Sequence, residues 1–430
     1  MATSNRVLPW RLPESVPGIV AGAVGTLILG VAAGLAVDPS ELVGTGGYVF
    51  GAGLLLAIGL FGSTYAIDLE ALREDLSGVL AAVTLGVVLK ASLIAGVMVV
   101  AFGRPEYVVL GIAVAQIDPL SVAALGRDGR MSPRARSLLS AWASFDDPMT
   151  VLLTLYVAGY AYTAAGYEGA PAVAGGGAGG YGTGLGLNAA LAAGVLLLWW
   201  AGRKAAIRLP SSPSARRTGA ILAGLLVVAM LVVAAANMLM LAVAVAGLFL
   251  RTAAFDKALD RAVGGAFLAA FLALGLFLAQ GVDLLPGFVL GVAAFGAQAV
   301  VALGVMPLFV RGLDRRDRIA LGLGQQNGIT AVLIALSLER DFPGTVATVG
   351  PAVITVNLLH GTAQVLQAHP PRPWRGRRGE EEPDTGEEPD PGQERPLPGE
   401  EPRAQKPLRA GVLAGDGAAS EPLPHGRSPA

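Results

Sequence analysis

The sequence predicts an all-α membrane protein that crosses the bilayer about twelve times. Of its 430 residues, 53% are hydrophobic and only 15% are charged, and the mean hydropathy is positive. A soluble core of ordinary composition cannot bury that much apolar surface. Apolar runs of about 17–25 residues, each long enough to span the hydrocarbon core as a helix, recur between charged or Gly- and Pro-rich breaks.

Twelve runs have this character. In chain order, the predicted spans are residues 17–37, 48–67, 77–102, 106–125, 137–160, 184–203, 218–235, 237–252, 262–280, 285–310, 318–338 and 344–367. The first run follows Arg6 and Arg11 and has no clear processing site, so we expect it to be retained as a helix.

The charges in the loops predict the orientation. If the N-terminus is cytoplasmic, the Lys and Arg residues of the loops fall on the inside, with Arg104 and Arg340 as the exceptions. Such a bias is the positive-inside pattern. Merging the two spans around Asn237 would invert every later loop and destroy the pattern. We therefore expect two helices there, a multi-pass protein of the plasma (inner) membrane, and both termini in the cytoplasm.

The segments outside the spans are expected to be irregular. Residues 1–16 form the predicted cytoplasmic N-terminus, and residues 368–430, rich in Pro, Gly, Glu and Arg, form a predicted disordered cytoplasmic tail. The Gly-rich loop at residues 175–180 is predicted to be a flexible linker, because no Gly-Lys-Ser/Thr follows it. The chain has no cysteine, which excludes disulfides and thiolate metal sites.

Three carboxylates, those of Asp118, Asp146 and Asp147, lie inside predicted spans. An acid at bilayer depth costs roughly 2.5–3.5 kcal/mol on insertion scales, so it is usually retained for an ion pathway or a proton relay. These acids are therefore the functional hypothesis. The alternatives are a kinked helix in which Asp118 is merely hydrogen-bonded, and a misplaced span boundary that leaves the Asp146–Asp147 pair in solvent.

Two spans are predicted to be interrupted. Asp118 precedes Pro119, and a residue before proline is pushed out of the helical region. In the second half, glycines surround the amides Gln325, Gln326 and Asn327 within the eleventh span. Paired interruptions in corresponding positions indicate inverted repeats with a binding site between them near the midplane. Amide-mediated helix packing is the alternative for the second interruption.

Asp146 and Asp147 are adjacent, so on a helix their side chains diverge by about 100°. We expect one to face the interrupted helix and the other a neighbouring partner. Pro148 frees a carbonyl close to the acids. Neighbouring carboxylates in a desolvated site take up protons as a coupled set, which allows exchange for a cation near neutral pH.

Lys90 lies in the middle of the third span, too deep for its side chain to reach an interface comfortably. It should have an acidic partner, and Asp146 is the first candidate; a snorkelling lysine on a tilted helix is the alternative. Gln298 and Asn357 are single amides that we expect to pack, and His360 is given no role.

These motifs together resemble the monovalent cation:proton antiporter superfamily over residues 17–367. Ile117-Asp-Pro-Leu-Ser121 is similar to the Thr-Asp-Pro motif on a discontinuous helix of that family. Phe145-Asp-Asp-Pro148 is similar to its paired-acid motif on the next helix, and Gln325-Gln-Asn-Gly328 to its second discontinuous helix.

The resemblance implies two inverted repeats with two discontinuous crossing helices, alternating access and a homodimer. It implies a mobile core of residues 77–160 and 285–367 and a scaffold and dimerisation domain of residues 17–67 and 184–280. Asp147 would carry the ion and the proton, with Asp146 as its companion and Asp118 as a supporting acid, and Asp147 and Asp118 would bind the monovalent cation. The supporting residues would be Lys90, Gln325, Gln326, Asn327, Thr150 and Gln298. No cofactor is implied.

Two positions depart from the family pattern. The tenth span has no Lys or Arg where relatives commonly place a basic partner for the first acid, and offers only Gln298; Lys90 is the candidate to supply that charge. Trp142 stands where many relatives carry an acid, one turn before the pair.

The sequence therefore predicts a secondary active antiporter that exchanges Na⁺, or another monovalent cation, for H⁺, and not an enzyme. A cation-coupled symporter of a small organic solute is the first alternative, because interrupted helices with amides also suit such substrates. A channel or a non-transporting sensor is the second. A soluble metalloenzyme is disfavoured, because the chain has only three histidines, and no nucleic acid is expected as a partner.

Overall fold

A computed structural model describes residues 16–67, 76–118, 122, 131–171, 173, 180–208, 213–251, 256–310 and 312–368. Within these ranges the regular structure is helical and no strand occurs, which confirms the predicted all-α class. The described residues belong to one compact unit, Met1–Pro371. Residues 1–15 of the predicted N-terminal segment, residues 175–179 of the predicted linker and residues 369–430 of the predicted tail lie outside the described residues.

The helices of the first half follow the predicted spans. They are α1 (Val16–Ala36), α2 (Ser40–Val43), α3 (Gly46–Tyr65), α4 (Leu76–Ala81), α5 (Val87–Phe102), α6 (Val108–Ala113), α7 (Pro133–Ala164) and α8 (Gly180–Arg208). A π-helical turn at Ala82–Gly86 joins α4 to α5. Helix α7 begins earlier than predicted, because the Ser132 hydroxyl caps it by accepting from the Ala135 N–H at 3.2 Å.

The second half is built in the same way. Its helices are α9 (Pro213–Asn237), α10 (Met240–Phe249), α11 (Asp256–Leu278), α12 (Leu284–Val300), α13 (Met306–Phe309), α14 (Arg315–Gly322), α15 (Ile329–Leu338) and α16 (Thr345–Ala368). The predicted split at Asn237 is confirmed, because α9 ends there and Met238 adopts a left-handed φ of 53°.

Both predicted interruptions are also confirmed. Helix α6 ends at Ala113, and residues 115–118 are not helical. Helix α14 ends at Gly322, and residues 324–328 are not helical before α15 begins. Each interruption therefore leaves a short unwound stretch that contains predicted site residues.

The composition of the helices fits a bilayer. In the described part of the chain, seven helical segments are long and apolar enough to cross a membrane: Gly46–Tyr65, Gly78–Phe102, Gly182–Ala205, Arg217–Asn237, Asp256–Leu278, Leu284–Phe309 and Thr345–Gln367. Large apolar side chains cover the outside of the bundle, with Val100 86% exposed and Leu308 75% exposed. Such a surface requires lipid around it.

Helices α1 and α11 pack with their backbones in direct contact. A Cβ added to Gly30 would overlap the carbonyl of Leu272, and one added to Gly275 would overlap the carbonyl of Leu27. Small residues at such positions let membrane helices approach closely, and van der Waals packing then holds them together.

We predict that Gly30→Ala lowers the free energy of unfolding by about 1–3 kcal/mol, because the new methyl group has no space. The matched control is Gly25→Ala on the same helix, where an added Cβ meets no atom within 4 Å. Thermal unfolding of the detergent-solubilised protein measures both. Equal midpoints for the two variants would contradict the close α1–α11 contact.

Candidate functional site

The two unwound stretches, residues 114–118 and 323–328, lie against each other and are called the crossing below. The Asp118 N–H donates to the Gln326 carbonyl at 2.9 Å. A Cβ added to Gly328 would lie 2.6 Å from Asp118 Oδ1, so a side chain there would displace the carboxylate. The contact joins an acid of the first half to the Gly-rich segment of the second.

Amide side chains satisfy the free carbonyls of the crossing. Gln325 Nε2 donates to the Gln116 carbonyl at 2.8 Å and to the Val114 carbonyl at 3.3 Å. Asn327 Nδ2 donates to the same Val114 carbonyl at 2.9 Å. Unwound backbone at membrane depth requires such partners, because no bulk water is available there.

Asp146 is paired with Lys90, as the sequence predicted. Lys90 Nζ lies 2.8 Å from Asp146 Oδ2, and both side chains are 0% exposed. The same carboxylate oxygen accepts from the Ile117 N–H of the crossing at 3.0 Å. Asp146 therefore contacts both the interrupted helix and the neighbouring basic partner, whereas the sequence analysis divided these contacts between the two acids.

Lys90 is the centre of a buried polar network. Its ammonium also donates to Gln298 Oε1 at 3.2 Å and to Gln325 Oε1 at 3.5 Å. Gln298 in turn donates to the Leu321 carbonyl, at the end of α14, at 3.0 Å. The Trp142 ring lies 5.3 Å from the ammonium, within the range of a cation–π interaction. One positive charge thus links both halves of the chain.

Asp147 points away from Lys90 and is 2% exposed. Its Oδ2 accepts from the Thr330 hydroxyl of α15 at 3.1 Å, and Asp118 is close enough to interact with its charge. Oδ1 of Asp147 is buried and has no hydrogen-bond partner among the described residues. The Thr150 hydroxyl, one turn along α7, donates to the Gln116 side chain at 2.8 Å and to the Asp147 backbone carbonyl at 3.0 Å.

The structure reveals two contacts that the sequence analysis missed. Asn357 of α16 binds the backbone of Asn327 twice, accepting from its N–H at 3.2 Å and donating to its carbonyl at 3.0 Å. His360 Nδ1 lies 2.7 Å from the Leu323 carbonyl. Both side chains therefore hold the second unwound stretch from one face of α16. Their spacing of three residues places them on one helix face, which was the available signal.

Of the remaining predicted site residues, Gln326 contributes its backbone to the crossing, while its side-chain Oε1 is buried and without a hydrogen-bond partner in the described structure. The residues brought together are therefore Asp118, Asp146, Asp147, Lys90, Thr150, Gln298, Gln325, Gln326 and Asn327. What each does in transport stays a prediction.

Comparisons with known proteins give the same picture of the fold. The family model described as sodium/hydrogen exchanger, transmembrane, matches residues 5–365. No curated protein sequence matches the chain. The solved structure of the sodium proton antiporter MjNhaP1 from Methanocaldococcus jannaschii at pH 8 is similar, with a TM-score of 0.52 and 15% identity. The similarity covers 82% of this chain and 95% of that one.

The buried ion pair predicts a characteristic pattern of stability. Lys90→Met alone should lower the free energy of unfolding by about 3–5 kcal/mol, because it leaves the Asp146 carboxylate buried without its cation. Lys90→Met combined with Asp146→Leu should recover most of that loss. Denaturant titration of the solubilised protein compares Lys90→Met, Asp146→Leu and the double variant with the wild type, and purely additive losses would contradict direct pairing.

Proposed function

The chain belongs to the transmembrane sodium/hydrogen exchanger family, and from this premise we propose that cation and proton compete for the Asp147 carboxylate. The family is one of secondary transporters, so the chain is a membrane protein that moves ions and not an enzyme. A monovalent cation and H⁺ are the substrates that the family implies. Na⁺ is the cation we propose first.

The observation that carries this proposal is the environment of Asp147. The carboxylate is buried, one oxygen is held by Thr330 at 3.1 Å, and the other is without a hydrogen-bond partner in the described structure. An isolated ionised carboxylate is unfavourable in such surroundings. Binding a proton or a metal ion removes the cost, and the two cannot occupy the same oxygen together. Exchange follows from this exclusion.

Asp118 and the crossing supply the remaining chemistry. Asp118 adds a second carboxylate next to Asp147, and we propose that it supports the bound cation. Unwound backbone beside an acid offers carbonyl oxygens of the kind that coordinate Na⁺ in transporters. Gln325, Gln326, Asn327, Thr150 and Gln298 hold that backbone and the acids in place.

We assign to Lys90 the positive charge that relatives commonly carry on the tenth span. Its ammonium contacts Asp146 at 2.8 Å and the tenth-span residue Gln298 at 3.2 Å. The Lys90 ammonium thus lies against both the companion acid and the tenth-span residue, which supports this assignment. Asp146 is the companion acid, and its pairing with Lys90 distinguishes it from Asp147.

Alternating access would complete the cycle. We propose that residues 77–160 and 285–367 form a mobile core of two inverted repeats, and that residues 17–67 and 184–280 form the scaffold and the homodimer contact. In this arrangement, the protein spans the plasma membrane with both termini in the cytoplasm. Loaded or protonated acids permit the movement, because a charged empty site is costly to carry through the bilayer.

Asp147→Asn should abolish exchange, because an amide can neither release a proton nor neutralise a cation. Everted vesicles with a pH-sensitive dye test this, with Na⁺-dependent dequenching as the signal. Asp260→Asn, which changes an exposed acid of α11, is the matched control and should behave as the wild type. Unchanged exchange in Asp147→Asn would refute the assignment.

Lys90→Ala should change the apparent cation affinity about tenfold and alter the pH dependence of exchange, because it removes a buried charge beside the acids. Moving the charge with Lys90→Gln and Gln298→Lys together should restore both properties towards wild type. The same dye assay at several pH values and Na⁺ concentrations measures this. Normal affinity and pH dependence in Lys90→Ala would contradict the role.

A further inference from the structure

Ser63 of α3 differs from the other hydroxyl residues around it. In membrane helices, Ser and Thr usually donate to a carbonyl of the preceding turn. Thr64 does so to Leu60 at 2.9 Å, and Ser144 does so to Ser140 at 2.7 Å. The Ser63 hydroxyl oxygen is buried and makes no hydrogen bond to any described residue. Its oxygen is therefore available to something other than its own helix.

The group that Ser63 faces is the Asp147 carboxylate. The Ser63 hydroxyl lies close enough to that carboxylate to interact with it as a hydrogen-bond donor would, but the contact does not have the distance and angles of a full hydrogen bond. Asp147 Oδ1 is also buried without a hydrogen-bond partner in the described part of the chain. Two oxygen atoms, one neutral and one anionic, thus lie side by side and unpaired. Unpaired buried oxygens are costly unless a ligand satisfies them.

Close packing fixes the position of Ser63. Before Ser63 in the chain, a Cβ added to Gly62 would lie 2.6 Å from Val263 Cγ2 of α11. After Ser63, the Thr64 side chain lies directly against Gly247 of α10, where an added Cβ would overlap the Thr64 hydroxyl oxygen. Helix α3 therefore cannot turn freely, and Ser63 is held towards Asp147 by contacts on both sides of it.

We propose that Ser63 is a ligand of the transported cation, supplied by the second span, and that it completes the site with Asp147 Oδ1. This inference rests on the proposed function and extends it by one residue. A hydroxyl oxygen is a neutral ligand of the kind that monovalent cations accept. A metal ion needs several oxygens, whereas a proton is satisfied by a single carboxylate oxygen. Ser63 therefore adds an oxygen ligand that cation binding requires and proton binding does not.

The position of Ser63 also gives the contact a role in coupling. Helix α3 lies in the proposed scaffold, whereas Asp147 lies in the proposed core. A ligand from the scaffold is present only when the two are in the conformation described here. Ser63 would thus make the cation affinity depend on conformation.

The test compares Ser63→Ala with Ser63→Thr in the vesicle assay. Ser63→Ala should raise the apparent KM for Na⁺ about tenfold, the order expected for losing one contact to a charged ligand. The maximal rate should stay near wild type, and the relative KM values for Na⁺, Li⁺ and K⁺ should change. Ser63→Thr, which keeps the hydroxyl, should restore the wild-type values. Ser144→Ala is the matched control, because its hydroxyl bonds to its own helix.

A binding measurement covers the case in which Ser63→Ala is poorly active. The thermal unfolding midpoint of the purified wild type should be higher in Na⁺ than in choline, because a ligand that binds the native state stabilises it. Ser63→Ala should need about tenfold more Na⁺ for the same shift. Unchanged KM and selectivity, or a lower maximal rate at unchanged KM, would overturn the proposal. Exchange that survives Asp147→Asn would instead refute the proposed function.

Discussion

The crossing can exist at bilayer depth only because protein groups satisfy its backbone. The carbonyls left free by the first interruption receive hydrogen bonds from Gln325 and Asn327. In the second interruption, Asn357 accepts from the Asn327 N–H and donates to the Asn327 carbonyl. Without these amides, each unwound residue would carry the full cost of a buried polar group. The amides therefore permit an irregular backbone in the place where acids can meet it.

This backbone arrangement makes the two neighbouring acids different from each other. Asp146 is paired with Lys90 and accepts a hydrogen bond from the Ile117 N–H, so one of its oxygens has two fixed partners. Asp147 has one hydroxyl partner and no cation among the described residues. The difference arises from helix geometry, because adjacent side chains on α7 point in diverging directions. One acid can be structural while the other exchanges its ligand.

Much of this arrangement is predictable from the sequence, for physical reasons that can be named. Asp118 before Pro119 and the glycines around Gln325 cannot continue a regular helix, so both interruptions were foreseen. A lysine as deep as Lys90 requires an acidic partner, and Asp146 was the first candidate. The missed residues are single polar side chains on apolar helices. The spacing of Asn357 and His360 places them on one helix face, but neither they nor Ser63 reveal what they contact, because that depends on how separate helices pack.

The central claim is that cation and proton exclude each other at one buried carboxylate. Calorimetry of Na⁺ binding to the purified protein, repeated in buffers of different ionisation enthalpy, tests it most directly. The account predicts that binding near neutral pH releases protons, and that the release disappears at alkaline pH, where the acid is already ionised. A binding heat that is independent of the buffer at every pH would contradict it.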